Sequence, residues 1–566
     1  MALEGPEVLM YLGIDVGGTH TDGAVLDENF EIVRTAKIPT QDTLGSLAEM
    51  LGRLLAGADP GRVRRLAVSS TLGLNALLTG QADPVGVLAS GGPGLPVADF
   101  GSGPLYEPLA GSQNHLGEVL KPADPAASLA AAGRLLKQGA RAWAVISKFG
   151  PKNLAAEEAL AQAAREAAPD FPLTLASRLS GRLNFPRRLN TAVFNSAVSR
   201  LYDRFCRDLT AAARDMGLAC PIRLLTADGG ALSPEEARFR PAQVLAAGPA
   251  AGLLGLWSLA GLTGDVLMVD MGGTSTDLAV MADGRPLTTA EGLDIAGKPT
   301  LVRAFLTRSL ALGGDLGLII SEGRVEFAEH RQGPPLALCP GEVGHRPPTF
   351  TDALNGLGLT RLGQVEASLA ALARLDESRP PEETAAQALD RALELISRAA
   401  RDFLDQVNRR PVYTLSALRL SRPVKPEIAA FLGGPAEALA LPVAEALKLR
   451  PVVPPQAALA NAVGAARARP SLAADLYADT AQGLMSIPAL GLTKAIGRDY
   501  TLAQAESELL AVLGKALAGL SEAGPAQVTE SESFNQLSGR GRADRIFRVR
   551  AQARPGFLGL IEEASP

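Results

Sequence analysis

Residues 15–25 read DVGGTHTDGAV and residues 270–280 read DMGGTSTDLAV, each directly after an apolar run, VLMYLGI or VLMV. Eight of the eleven positions are identical. A chain that writes the same strand, tight turn and returning strand twice, 255 residues apart, is expected to fold as two related lobes. The surroundings support this. Strands are expected at 8–14, 21–26 and 31–38 around the first turn, and at 265–270, 276–281 and 286–290 around the second. Between them, amphipathic segments such as 154–168 alternate with apolar runs such as WAVIS (143–147) and IRLLT (222–226), a pattern of α/β layers with largely parallel sheets.

The turn has a chemical reading. Glycines let the backbone adopt positive φ and let a ligand come close. Successive amides in such a turn form an anion nest, and threonine hydroxyls add donors. Turn geometry alone requires neither the acids nor the hydroxyls that both copies keep. An aspartate beside a phosphate nest acts through Mg²⁺, directly or through water, or as a base that orients the nucleophile. Two nests on facing lobes can hold one polyphosphate from both sides. A competing match, GLDIAGKPT (292–300), fits the first part of a P-loop, but Pro299 stands where Ser or Thr is needed and no buried strand precedes it. Lys298 is therefore expected on a solvated loop.

Composition narrows the classes. With 566 residues the chain is too long for one core. A net charge of −5 argues against nucleic acid as a partner. Cys206, Cys220 and Cys339 form no CxxC pair, and the four histidines have no metal-ligand spacing. The uncharged stretch 244–264 is broken by Pro249 and several glycines, so a buried helix is expected there rather than a membrane span. The N-terminus lacks a basic region ahead of its apolar run, and a cytoplasmic protein is expected. Residues 360–410 read as charged helix. After about 470 the motifs stop, and a helix near 502–520 with the alternating RIFRVRAQAR (545–554) points to a small α+β domain, its Arg548, Arg550 and Arg554 sharing one strand face.

Taken in order, the motifs resemble the hydantoinase/5-oxoprolinase family (hydantoinase A-like), within the sugar kinase, heat-shock ATPase and actin superfamily. Besides the two turns, the resemblance is carried by SSTLGLNALLTG (69–80), with Thr71 and Asn75, and by NFPRRLNTAVFNSAV (184–198), with Arg187, Arg188, Thr191 and Asn195. DGGALSPEEARFRPAQVLAAGPAAG (228–252), FLGGPAEAL (431–439), VVPP (452–455) and ANAVGAA (460–466) complete it. The resemblance implies two duplicated actin-like (ribonuclease H-like) lobes around a nucleotide cleft, divided as 1–187, 188–470 and a C-terminal 471–566. It implies an ATP-dependent hydrolase that opens a cyclic amide or imide through a phosphorylated intermediate, with ATP and Mg²⁺ as cofactors. A separately encoded second subunit and an oligomeric assembly go with it.

On this reading Gly17, Gly18, Thr19, Thr21, Gly272, Gly273, Thr274 and Thr276 belong to the phosphate loops, and Gly433 and Gly434 border the adenosine. Asp15 and Asp270 are the catalytic acids and hold Mg²⁺ through water. The alternatives are an ATPase that reactivates or assembles another enzyme, and a small-molecule kinase. They stay open because FLTRSLALGGDL (305–316) puts Leu306 and Arg308 where the family carries an acid and a histidine, and because 326–341 departs from the family pattern. Arg187 and Arg188 are expected to form an interlobe salt bridge.

Overall fold

The computed structural model describes residues 9–18, 20–40, 43–101, 103–289, 291–409, 422–518, 520, 522–537, 543–553 and 556–560. Thr19 and Arg554, singled out above, lie outside these.

The apolar run before the first turn becomes the strand Met10–Val16, whose residues are buried apart from a half-buried Tyr11. It pairs antiparallel with His20–Leu26, which pairs antiparallel with Ile32–Pro39. On its other side it runs parallel to Val63–Ser70, and that strand runs parallel to Ile222–Leu225. The short strand Ala231–Leu232 closes the edge. The second lobe repeats the scheme. Val266–Met271 pairs antiparallel with Thr276–Ala282 and parallel with Ile428–Leu432, which in turn pairs parallel with Arg450–Val452. Three strands opened by a hairpin and continued by parallel partners, twice over, give the duplicated ribonuclease H-like lobes that the repeated turn requires.

Three features differ from the sequence expectation. WAVIS lies in a separate five-stranded sheet, inserted after helix Leu72–Leu78, in the order Val119–Lys121, Tyr106–Gln113, Val85–Gly91, Ala142–Ser147, Leu173–Leu175. The chain then returns to the first lobe: residue 187 sits in the first turn of helix Phe185–Asp215, and Ile222–Leu225 still extends the first sheet. That long helix starts where Asn184 accepts a hydrogen bond from the Arg187 amide, with Pro186 in the first turn where no amide partner is needed. In the second lobe the strand expected at 286–290 is only Arg285–Pro286, and Thr307–Leu310 takes its place against residues 276–279. The divergent stretch therefore supplies a structural strand.

The expected buried helix runs Ala247–Ala260, and among the described residues no helix is long and apolar enough to cross a membrane. Helix Ala460–Arg467 lies between it and the first sheet, and small residues set the seam. A Cβ on Gly13 would come within 1.9 Å of the Ala462 carbonyl, and one on Gly255 within 1.8 Å of the Ala460 carbonyl. Gly255→Ala is accordingly expected to lower the unfolding free energy by about 1–3 kcal/mol, read from chemical denaturation. The C-terminal part is a five-stranded antiparallel sheet covered by helix Leu502–Ala518. There Arg550 and Arg548 stand opposite Glu530 and Glu532, so that charged face is internally paired.

Candidate functional site

The two turns are built alike. Gly17 N–H donates to the His20 carbonyl at 3.0 Å, and Gly272 N–H to the Ser275 carbonyl at 2.9 Å. Asp15 faces Asp22 across the first hairpin, as Asp270 faces Asp277 across the second. Gly18, Gly272 and Thr274 are exposed at the tips, and Gly273 is half-buried. Among the described residues the amides of Gly273 and Thr274 donate to no protein partner. Thr71 N–H donates to the Val16 carbonyl at 3.2 Å, and Asn75 lies against Gly18, so SSTLGLNALL packs directly behind the first turn. ALGGDL does the same for the second: Gly314 N–H donates to the Gly272 carbonyl at 3.0 Å and Asp315 N–H to the Gly273 carbonyl at 2.7 Å.

Thr21 and Thr276 have a different place from the one expected. Both are fully buried. The Thr21 hydroxyl bonds that of Thr40 at 2.9 Å, and the Thr276 hydroxyl donates to the Leu312 carbonyl at 2.6 Å. They brace the turns from behind and do not face the cleft. Gly433 follows strand Ile428–Leu432 at φ 98°, and a Cβ there would come within 2.0 Å of the Met271 carbonyl. This close approach brings Gly434, which borders open space, beside the second turn.

Asp15 and Asp270 hold equivalent places in the two lobes, each one residue before the end of its strand, and the charge of Asp15 acts on Asp270. Burial, the neighbouring Asp277 and Asp15 push the Asp270 carboxyl up to about 7. Burial raises Asp15 too, against hydrogen bonds from Ser69 and Asn461. The Ser69 hydroxyl donates to Asp15 Oδ1, and Asn461 Nδ2 donates to Oδ2 at 3.0 Å. Two carboxylates in mutual repulsion beside unpartnered amides fit a divalent cation that is carried in with a polyphosphate and shared through water. Among the described residues no group of three or more acidic, histidine or cysteine side chains could hold a metal ion.

Residues 11–168 match the hydantoinase/oxoprolinase N-terminal region, and residues 188–473 match the hydantoinase/oxoprolinase domain. The chain belongs to the hydantoinase/oxoprolinase family. Caprolactamase subunit alpha of Pseudomonas jessenii is 24% identical over 458 residues, which is 75% of this chain and 64% of that protein. The chain thus spans a little under two thirds of that relative's length. The ATP-dependent caprolactamase structure from Pseudomonas jessenii superposes with a TM-score of 0.70 at 18% identity, covering 98% of this chain and 89% of the other. Nucleotide-free acetone carboxylase gives 0.67 at 15% identity, covering 97% and 88%.

Several residues of this hydantoinase/oxoprolinase framework are structural. Asp352 is fully buried and accepts from the amides of Leu336 (2.9 Å), Ala337 (3.1 Å) and Thr349 (2.8 Å) and from the Ser368 hydroxyl (2.6 Å), tying three segments together. Arg187 donates to the Thr300 carbonyl at 3.1 Å and to Glu291 at 3.0 Å, a bridge to the segment that follows the second-lobe hairpin. Arg188 makes no such bridge; it is buried against Glu157 of the inserted region. Lys298 is exposed, as expected, but it stands in the short strand Lys298–Pro299 just after the turn Ala296–Gly297 and not on a loop. Leu306 is buried in the second-lobe core, and Arg308 faces Asp402 at 3.7 Å. Ser69 and Asn461 were not assigned roles from sequence. Both lie in noted motifs, yet only the folded chain brings them to Asp15.

Proposed function

We propose that this chain is an ATP-dependent cyclic amidohydrolase, with MgATP held between the turns at Gly17–Gly18 and Gly272–Thr274. The observation that carries the reading is the pairing of Asp15 and Asp270 between two amide-lined turns on opposed lobes. The ATP-dependent caprolactamase relative supports the choice of a cyclic amide as substrate. Mg²⁺ would be held through water by Asp15 and Asp270 and would neutralise charge on the phosphates.

An amide carbonyl is a weak electrophile, and phosphorylation changes that. The amide oxygen attacks the γ-phosphorus and ADP leaves. Water then adds to the activated carbon, the C–N bond breaks as the nitrogen takes a proton, and an acyl phosphate remains. A second water releases inorganic phosphate and leaves the ring-opened amino acid. The protein's part is to position the groups and stabilise the developing charge. Asp270 would orient the attacking group. Closure of the lobes would keep water from the γ-phosphate until substrate binds. The relative's designation as an alpha subunit supports a separately encoded partner for this chain.

The position of Leu306 in the core and of Arg308 at Asp402 favours one further reading, an ATPase that drives another enzyme. ADP release by the purified protein, with and without hydantoin, 5-oxoproline and caprolactam, separates the two. Lactam-dependent ADP release with ring-opened product is expected. Turnover that ignores every lactam, yet responds to a co-purifying protein, favours the second reading.

A further inference from the structure

Asp15 and Asp270 belong to different lobes, and the Asn461 carboxamide bonds the first and lies across Gly252 from the second. Asn461 is the second residue of helix Ala460–Arg467. Its Nδ2 donates to Asp15 Oδ2 at 3.0 Å. Its Oδ1 faces helix Ala247–Ala260, where a Cβ on Gly252 would lie 2.9 Å from that oxygen and 3.0 Å from Asp270 Oδ2. The donor end of the amide is thus on the first-lobe aspartate, and its acceptor end faces Gly252, which also borders Asp270 Oδ2.

The backbone that carries Asn461 is fixed from both sides. The Ala462 carbonyl abuts Gly13 of the first sheet, and Gly464 would place a Cβ 1.9 Å from the Ala251 carbonyl. With contacts this close the helix cannot slide along either wall without moving the carboxamide. The other oxygen of Asp15 is held by Ser69 of the first lobe. Asp15 is therefore oriented by one donor from its own sheet and one from the seam helix. We infer that Asn461 is a positioning residue that ties the orientation of Asp15 to the relative setting of the two lobes, while Gly252 keeps the space between Asn461 and Asp270 open. This rests on the reading that Asp15 and Asp270 face MgATP. An aspartate at 461 could not do this work, because it would set a third acceptor-only carboxylate between two others.

The test is steady-state ATP turnover by Asn461→Asp, which keeps the shape and removes the donor, Asn461→Ala, and Gly252→Ala, which crowds both polar atoms and removes neither. ADP affinity by calorimetry accompanies each variant and reports an intact cleft. All three are expected to lose about 10–100-fold in kcat, with KM for MgATP changed less than about threefold. A kcat within about twofold of wild type in both Asn461 variants overturns the inference. So does a loss carried by KM alone, which a merely structural role would give. Failure of the underlying reading shows separately, in wild-type protein that neither binds nor turns over MgATP, and it overturns this inference as well.

Discussion

Asp270→Ala is expected to lower MgATP turnover by at least about 1,000-fold, measured as ADP release, with the fold retained. Asp270 is the second-lobe counterpart of Asp15, and among the described residues its side chain makes no ion pair. Its neighbours are Asp277 and Asp15, both of like charge, and together with burial they raise its carboxyl from 3.8 to about 7. The sign of this shift gives a second readout. A folded-state value above the unfolded one means that the folded protein binds the proton more tightly, so stability is lost as pH rises from about 4 through about 7. Asp270→Asn removes that cost. Without nucleotide or divalent cation, it is expected to unfold at a higher denaturant concentration than wild type at pH 8. The difference should vanish toward pH 4. Equal stability at pH 8 would show that the charge is not confined as described.

Arg188→Ala is expected to cause the largest loss of stability, about 3–5 kcal/mol in chemical denaturation. Arg188 and Glu157 are both fully buried, 3.3 Å apart. Arg188 Nη2 donates to the carbonyls of Ser147 (2.8 Å) and Lys148 (2.7 Å), where the inserted sheet ends. Glu157 accepts from the amides of Ser147 and Ser177, both at 3.0 Å, and from the Ser177 hydroxyl at 2.7 Å. Removing the guanidinium would leave a buried carboxylate without its countercharge. The pair locks the long helix Phe185–Asp215 to the inserted sheet, so the loss should appear first as exposure of that sheet to proteolysis. The double variant Arg188→Met with Glu157→Leu is expected to be less destabilised than Arg188→Ala, since both charges leave together. An Arg188→Ala protein as stable as wild type would contradict this assignment.

What could be read in the sequence follows from what each residue type must do locally. The duplicated turns, their flanking strands and the acid at the end of each were legible, because glycine geometry, anion nests and apolar runs are local properties. The false P-loop at 292–300 was legible for the same reason. The inserted sheet was not, since WAVIS and IRLLT look alike as apolar runs and nothing in either names the sheet it joins. Thr21 and Thr276 looked like ligand donors; strand alternation turned them inward, where Thr40 and the Leu312 carbonyl take up their hydroxyls. Arg187 and Arg188 are neighbours in sequence, yet a helix sends them to different partners. Asn461 lies 446 residues from Asp15, and a hydrogen bond across that separation leaves no trace in either local pattern.

On the proposed function, one nucleotide is gripped by both turns at once. A crystal structure of the protein with Mg²⁺ and a non-hydrolysable ATP analogue tests it most directly. Phosphate oxygens are expected within hydrogen-bonding distance of backbone amides in both 17–19 and 272–274, with the cation between Asp15 and Asp270. A nucleotide bound at one turn alone, or outside the cleft between the lobes, would contradict it.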